Sequence, residues 1–277
     1  RHVVNNRIVV NSIEPRAALA SYDAESRRWT LRTNTQGGWL LKDILGPMVF
    51  KTEASSFRVI TPDVGGGFGM KLFVYPEHAL TSYAARKLGR PVKWTSERTE
   101  AFLSDTQGRD NVTLGEIAMD AQGKFLALRT RNVANMGAYL SNFGPYIPSA
   151  AGTGVLASVY GFQAVYANVI GVFTNTVPVD AYRGAGRPEA TFVVERLVEV
   201  SARQMGIDPA EIRRRNFIKM FPHQTPVIMA YDAGDYNASL KKALEIADVK
   251  GFGKRKREAA RHGKLRGLGY STYIEAC

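Results

Sequence analysis

Between Arg28 and Thr33 the chain alternates large and polar residues, the period-two pattern of a strand with one buried face. A polar turn, Asn34-Thr35-Gln36-Gly37-Gly38, leads to a short helical pattern over Leu40–Leu45 that ends near Gly46-Pro47. Phe57–Ile60 reads as a strand, and Pro76–Leu88 as a helix with Ala79, Leu80, Tyr83, Ala84 and Leu88 on one face. Gly89 suits the C-terminal cap and Pro91 bars continuation. Val92–Thr95 is a further strand, giving a β-loop-α-β unit. A right-handed crossover would put the intervening loop, Asp63–Lys71, at a strand's carboxyl end, where α/β units hold ligands.

Asn111–Met119 and Lys124–Asn132 alternate around Asp120-Ala121-Gln122-Gly123, a hairpin signal. Gly137–Gly161 is small, aromatic and glycine-rich without a period, and reads as irregular structure covering a site. A strand over Asn168–Thr174 precedes a helix over Pro188–Met205 that should bury Phe192, Val193, Leu197 and Val200 and stop at Gly206. Asp208-Pro209-Ala210-Glu211 places an N-cap, a first-turn proline and a capping-box glutamate before the next helix. Past Phe221 the chain loosens into a connector, a helix with Leu240, Ala243, Leu244 and Ala247, and a basic segment. The expected fold is α+β, with mixed sheets and packed helices. It divides into a region over residues 1–221 and a trailing region over 222–277.

At 277 residues and 45% hydrophobic, the chain can hold a sizeable core. No apolar run is long enough to span a membrane, and Cys277, the one cysteine, offers no disulfide or cysteine metal site. A reducing cytoplasm is the expected compartment. The net charge of +12 raises a nucleic-acid reading, but half of it sits in Gly251–Arg266, seven cations against Glu258. A solvated helix or linker is the expected form of that segment. The alternative is a non-catalytic basic module that binds nucleic acid through it. The chain opens without Met and stops in the strand-like Tyr270–Cys277, so it reads as a piece of a longer polypeptide. His2, His78, His223 and His262 lack metal-ligand spacing and read as surface or packing residues.

Two glycine loops carry the chemistry. In Gly65-Gly66-Gly67-Phe68-Gly69-Met70-Lys71 the bare backbone lets an anionic or oxo-bearing group approach the amides. It is not a dinucleotide fingerprint, which needs glycine at Met70, nor a P-loop, which needs Ser or Thr at Leu72. The second, Tyr182-Arg183-Gly184-Ala185-Gly186-Arg187-Pro188, opens a helix and carries two cations where the helix N-terminus adds positive potential. Arg183 can present its fork to an anion or carbonyl; the structural alternative is an ion pair with Glu189 or Glu195.

These loops, together with Thr35-Gln36, Ile13–Ala20 and Asp208–Phe217, resemble in kind and order the molybdenum-binding subunit of the xanthine oxidase/aldehyde oxidase family. The similarity runs over nearly the whole chain but covers only the first molybdopterin-binding region. It implies a molybdenum hydroxylase that oxidises an aldehyde or N-heterocycle with water-derived oxygen and passes electrons to iron–sulfur and FAD partners. Its cofactor would be molybdopterin cytosine dinucleotide. Gln36 would contact a molybdenum oxo group, and Gly66, Gly67, Phe68 and Gly69 the cofactor. Arg183 would also touch the cofactor, on its substrate side, and Tyr182, Gly184, Ala185 and Gly186 would shape the pocket. The departures carry meaning: Leu72 replaces the glutamate of purine-specific members, and Ala185 a pocket-narrowing phenylalanine. Gly184 replaces the copper-binding cysteine of aerobic carbon monoxide dehydrogenase. The glutamate base and second half of the pterin site would lie in a C-terminal remainder of the subunit, and Glu275 does not match that base's motif. The 277-residue chain alone is therefore expected to be inactive.

Overall fold

The computed structural model describes residues 1–275. Its first sheet has the order β4-β3-β2-β5, from β2 (Ala17–Asp23), β3 (Arg28–Thr33), β4 (Phe57–Ile60) and β5 (Val92–Thr95). β3 and β4 are parallel, whereas β2 runs antiparallel to both β3 and β5. The β-loop-α-β unit therefore does join parallel strands of one sheet, but β3 and β2 lie between them. Alternation sends Ala18, Ala20, Trp29 and Leu31 inward against Leu41, Leu45 and Phe57. Trp29 stacks on Phe57 at 4.8 Å.

The helix α1 (Gly38–Ile44) does not stop at Gly46-Pro47. It continues as a π-helical stretch, Leu45–Phe50, ended by Lys51 at φ 55°. Gly46 serves a close approach instead, since a Cβ there would lie 2.8 Å from the Glu53 carbonyl oxygen. The helix α2 (Pro76–Leu88) matches its expected span but not its expected face. Leu80, Tyr83 and Leu88 are exposed, and His78, Thr81, Ser82 and Ala85 are buried. The sheet explains the inversion: β2 offers only Ala18 and Ala20, so the helix packs close and admits only small or internally bonded residues. Ser82 Oγ donates to the His78 carbonyl, and the Ser82 carbonyl accepts from Trp29 Nε1 at 3.0 Å.

After α3 (Arg98–Ser104) comes the second sheet, order β1-β6-β7-β8, formed by β1 (His2–Asn5), β6 (Asn111–Met119), β7 (Phe125–Gly137) and β8 (Ala164–Phe173). The hairpin forms as expected, but β7 runs five residues beyond Asn132 because β8, parallel to it and starting at Ala164, extends the ladder. The 137–161 stretch is largely irregular, with π-helical Ile147–Ala151 and the single turn α4 (Gly152–Gly154). The helix α5 (Arg187–Met205) covers the sheet with Val193, Val194, Leu197 and Val198. Phe192 is 41% exposed and Val200 only half-buried, because the buried arc centres on residues 190, 193, 194, 197 and 198.

Asp208 caps α6 (Pro209–Asn216) by accepting from the amides of Ala210 and Glu211, while the Glu211 carboxylate pairs with Arg214 and Arg215. A small hairpin, β9 (His223–Gln224) with β10 (Ala230–Tyr231), leads to α7 (Tyr236–Ile246), which buries Leu240 in the second core. The basic segment forms α8 (Phe252–Arg261) without a buried residue. Among the described residues no helix is long and apolar enough to cross a membrane.

A buried joint ties α2 and α3 to the first sheet. The Arg16 guanidinium lies 3.6 Å over the Tyr75 ring, 2.7 Å from Asp105, and pairs with Glu77. Beside it His78 accepts from the Tyr75 amide through Nδ1 and bonds Thr33 Oγ1 through Nε2. Burial, reinforced by Arg16, pushes the His78 pKa down to about 3. A depressed histidine pKa means the unfolded chain binds the proton first, so stability is intact above pH 6.5 and falls as pH drops toward 3. Acidification from pH 7 to 5 should cost about 2 kcal/mol through this one group. Urea unfolding at the two pH values should show the loss in the wild type and a much smaller one in His78→Gln.

Candidate functional site

The glycine loop leaves β4 and is held open by two side chains from elsewhere. Glu14 Oε2 accepts from the Gly65 amide at 2.7 Å and from the buried Lys71 ammonium at 2.9 Å. Burial acts to raise the Glu14 pKa, but the bonds from Lys71 and Gly65 outweigh it and hold the carboxylate below its usual range. Gln36 Oε1 accepts from the Gly69 amide at 2.9 Å, and a Cβ on Gly67 would meet that same side-chain oxygen at 2.4 Å. Gly66, Phe68 and Gly69 take positive φ, 92°, 54° and 99°. The resulting winding leaves the Gly66, Gly67 and Phe68 amides donating to nothing among the described residues. The Gln36 amide NH2 is likewise uncommitted among them. Leu72 packs instead toward Gly37, where a Cβ would meet its Cδ1 at 2.8 Å.

The second loop docks on the first. Arg183 N–H donates to the Phe68 carbonyl at 2.9 Å, and a Cβ on Gly69 would lie 2.6 Å from the Ala181 oxygen. Only glycine permits that approach. Beneath the junction Val10, Met70, Phe73 and Tyr75 form a small core against which Leu72, Ala181 and Tyr182 pack. Gly184, Ala185 and Gly186 all have positive φ, at 87°, 41° and 94°. Arg183 itself is exposed, and its guanidinium has no partner among the described residues. The carboxylates that could have claimed it are taken: Glu189 pairs with Arg109 and Glu195 with Arg213.

Arg109 governs this loop, and no pattern in the sequence singles it out. Buried and at φ 67°, it donates through Nη1 to the Tyr182 carbonyl at 2.8 Å and to Glu189 Oε1 at 3.1 Å. Its Nη2 donates to the Arg183 carbonyl at 2.7 Å, and the guanidinium lies 5.0 Å from the centre of the Tyr182 ring. Glu189 Oε2 accepts from the Gly186 amide at 2.9 Å. Asp180, buried just before the loop, accepts from the Ala181 and Phe143 amides and so ties it to the irregular 141–143 stretch. Burial raises the Asp180 pKa, against the hydrogen bonds that lower it. The sequence offered Glu189 only as an ion-pair partner for Arg183; it pairs with Arg109 instead.

The structure thus brings Gln36, Gly67–Gly69 and Tyr182–Arg183 to one junction. Arg183 borders an open cleft of about 800 Å³, lined also by Tyr182, Gly184, Phe192, Tyr273 and Glu275. Gln36 and the glycine loop are not among its walls, and Ala185 and Gly186 are not either. What the junction offers chemically is a set of donors uncommitted among the described residues: amides, an amide NH2 and a guanidinium. That suits a ligand rich in oxo, phosphate or other acceptor atoms.

Residues 1–217 match the family model described as the molybdopterin cofactor-binding domain. The carbon monoxide dehydrogenase large chain of Hydrogenophaga pseudoflava is 34% identical over 284 residues, covering 99% of this chain and 35% of the relative. The nicotine 6-hydroxylase large subunit of Paenarthrobacter nicotinovorans is 32% identical, over 99% of this chain and 34% of the relative. Quinoline 2-oxidoreductase from Pseudomonas putida 86 superposes with a TM-score of 0.87 at 33% identity, covering 95% of this chain and 34% of that one. The chain spans about a third of the length of the curated relatives it matches.

Replacing Arg109 with Met should leave Glu189 buried without its partner and free two loop carbonyls. The expected loss is about 3–5 kcal/mol, read as a lowered urea midpoint. A change below about 1 kcal/mol would remove Arg109 from its role in holding the loop.

Proposed function

Because this chain belongs to the molybdopterin cofactor-binding domain family, we propose that it supplies one side of a molybdenum hydroxylase's catalytic pocket. The parent subunit would oxidise an aldehyde or N-heterocycle, and electrons would leave through iron–sulfur and FAD partners. The observation that carries the reading is the contact between the loops, Arg183 N–H to Phe68 O at 2.9 Å, which gathers uncommitted donors around one junction. Residues 1–221 would form the cofactor-binding region and 222–277 a connector toward polypeptide that completes the pocket and brings the glutamate base. A cytoplasmic setting fits an enzyme assembled with such partners.

The residues present fit the cofactor. The Gly66–Phe68 amides have no acceptor among the described residues, and at Gly67 even a methyl group would displace the Gln36 side chain. When bound, molybdopterin cytosine dinucleotide would supply the two-electron oxidation and the water-derived oxygen. The Gly67, Phe68 and Gly69 backbone would bind it, with Gly66 widening the approach. Gln36, oriented by its bond from the Gly69 amide, would turn its NH2 toward an oxo group. Arg183 would face both the cofactor and the substrate, its loop fixed by Arg109 so that the free guanidinium can stabilise charge that develops on the substrate. Tyr182, Gly184, Ala185 and Gly186 would set the pocket's shape, Ala185 and Leu72 leaving it roomier and less polar than a purine site.

Protein purified anaerobically with its partners should contain molybdenum and release cytosine nucleotide on hydrolysis; the absence of both would sink the reading. Gly67→Ala should abolish molybdenum retention while thermal unfolding stays close to wild type. Arg183→Ala should lower kcat/KM about 10²–10³-fold, the scale of removing one fixed donor, and unchanged turnover would exclude Arg183 from the site.

A further inference from the structure

The stretch Tyr270–Glu275 alternates its side chains between the protein and the Arg183 cleft. Tyr270 and Ile274 pack on the second core, whereas Ser271, Tyr273 and Glu275 line the cleft. It pairs with no strand, and among the described residues none of its backbone amides donates a hydrogen bond. Its position depends instead on a buried cluster. Arg213, fully buried, grips Glu195 through Nε and Nη2 at 3.0 and 2.9 Å and donates to the Tyr270 carbonyl at 3.3 Å. Glu195 Oε1 accepts from Tyr160 OH at 2.5 Å and from Thr272 Oγ1 at 3.2 Å, and the two hydroxyls lie 2.7 Å apart. Ser158 Oγ adds a bond to the Thr272 carbonyl at 3.3 Å. At the other end Glu275 reaches across to Arg187 Nε at 3.3 Å, on the wall that carries Arg183.

We infer that the Tyr160–Glu195–Arg213 cluster is a latch, with Thr272 as its catch, that fixes this segment as the second wall of the Arg183 cleft and so sets how far the cleft opens. A buried ion pair and two buried hydroxyls are more than a solvated segment needs to stay attached. They converge on Thr272, three residues from Glu275, which pairs with Arg187. Tyr160, Glu195 and Arg213 are positioning residues: they reach the cleft only through the segment. As a control on ligand access the inference rests on the cleft reading above, but its test needs neither cofactor nor turnover.

Two rates on the native protein read the latch: chymotryptic cleavage after Tyr273, and phenylglyoxal labelling of Arg187 relative to the exposed Arg32, followed by mass spectrometry. Thr272→Val removes the catch without changing its shape and should raise both rates about tenfold or more, the effect of losing a hydrogen bond to a carboxylate. Tyr160→Phe should act in the same direction, and Thr272→Ser should restore rates near wild type. Thr225→Val, which deletes a buried hydroxyl bond in the same half of the protein but away from the segment, should change neither. Unchanged rates in Thr272→Val and Tyr160→Phe, or an equal rise in Thr225→Val, would overturn the latch. A protein that lacks molybdenum yet shows these rate changes would refute the cofactor reading and leave the latch standing.

Discussion

The structure depends on one buried guanidinium. Arg109 grips two successive carbonyls of the Arg183 loop and meets Glu189, which in turn holds the Gly186 amide. Those bonds occupy the loop's acceptors from inside the protein and leave its cation outside. They reinforce a turn that the Ala185 and Arg187 amides already close on the Tyr182 and Gly184 carbonyls, and so help hold three consecutive positive-φ residues as they are. The arrangement puts a desolvated ion pair, costly if broken, in the service of an exposed residue that no ion pair restrains among the described residues.

The junction also explains how two separate cores become one site. Each four-stranded sheet buries its own apolar set, one around Trp29 and Leu31, the other around Tyr160 and Val194. The loops between them meet backbone to backbone, through the Arg183 amide and the Phe68 carbonyl and across the bare Cα of Gly69. A site formed this way is shaped by main-chain geometry, so its tolerance for substitution is lowest at glycines and at the residues that hold carbonyls. Side chains that only line the cleft, such as Phe192 and Tyr273, are free to vary its character without unsettling the frame.

Much of this was legible in the sequence. The glycine spacing around Phe68 and the Arg-Gly loop at a helix start each announce backbone that something must approach; Gln36 was singled out only by the resemblance, and all three meet in the structure. The fold class was legible too, because the alternation at 28–33 and 111–119 and the helix at 188–205 are strong local patterns. What escaped were facts that depend on partners. The exposed face of α2 could not be read, since the packing distance is set by two alanines on β2. Arg109 lies 73 residues from the carbonyl of Tyr182 that it binds, and nothing local marks an arginine as a tertiary clamp. Glu189 was visible as a carboxylate near Arg183 but turns out to serve Arg109.

On the proposed reading, the two glycine loops together hold one acceptor-rich cofactor. A crystal structure of the protein isolated with its cofactor and partners tests this most directly. Cofactor atoms should lie within hydrogen-bond reach of the Gly67 and Phe68 amides, with the Arg183 guanidinium facing the same ligand. Cofactor bound elsewhere, with those amides facing only water, would contradict it.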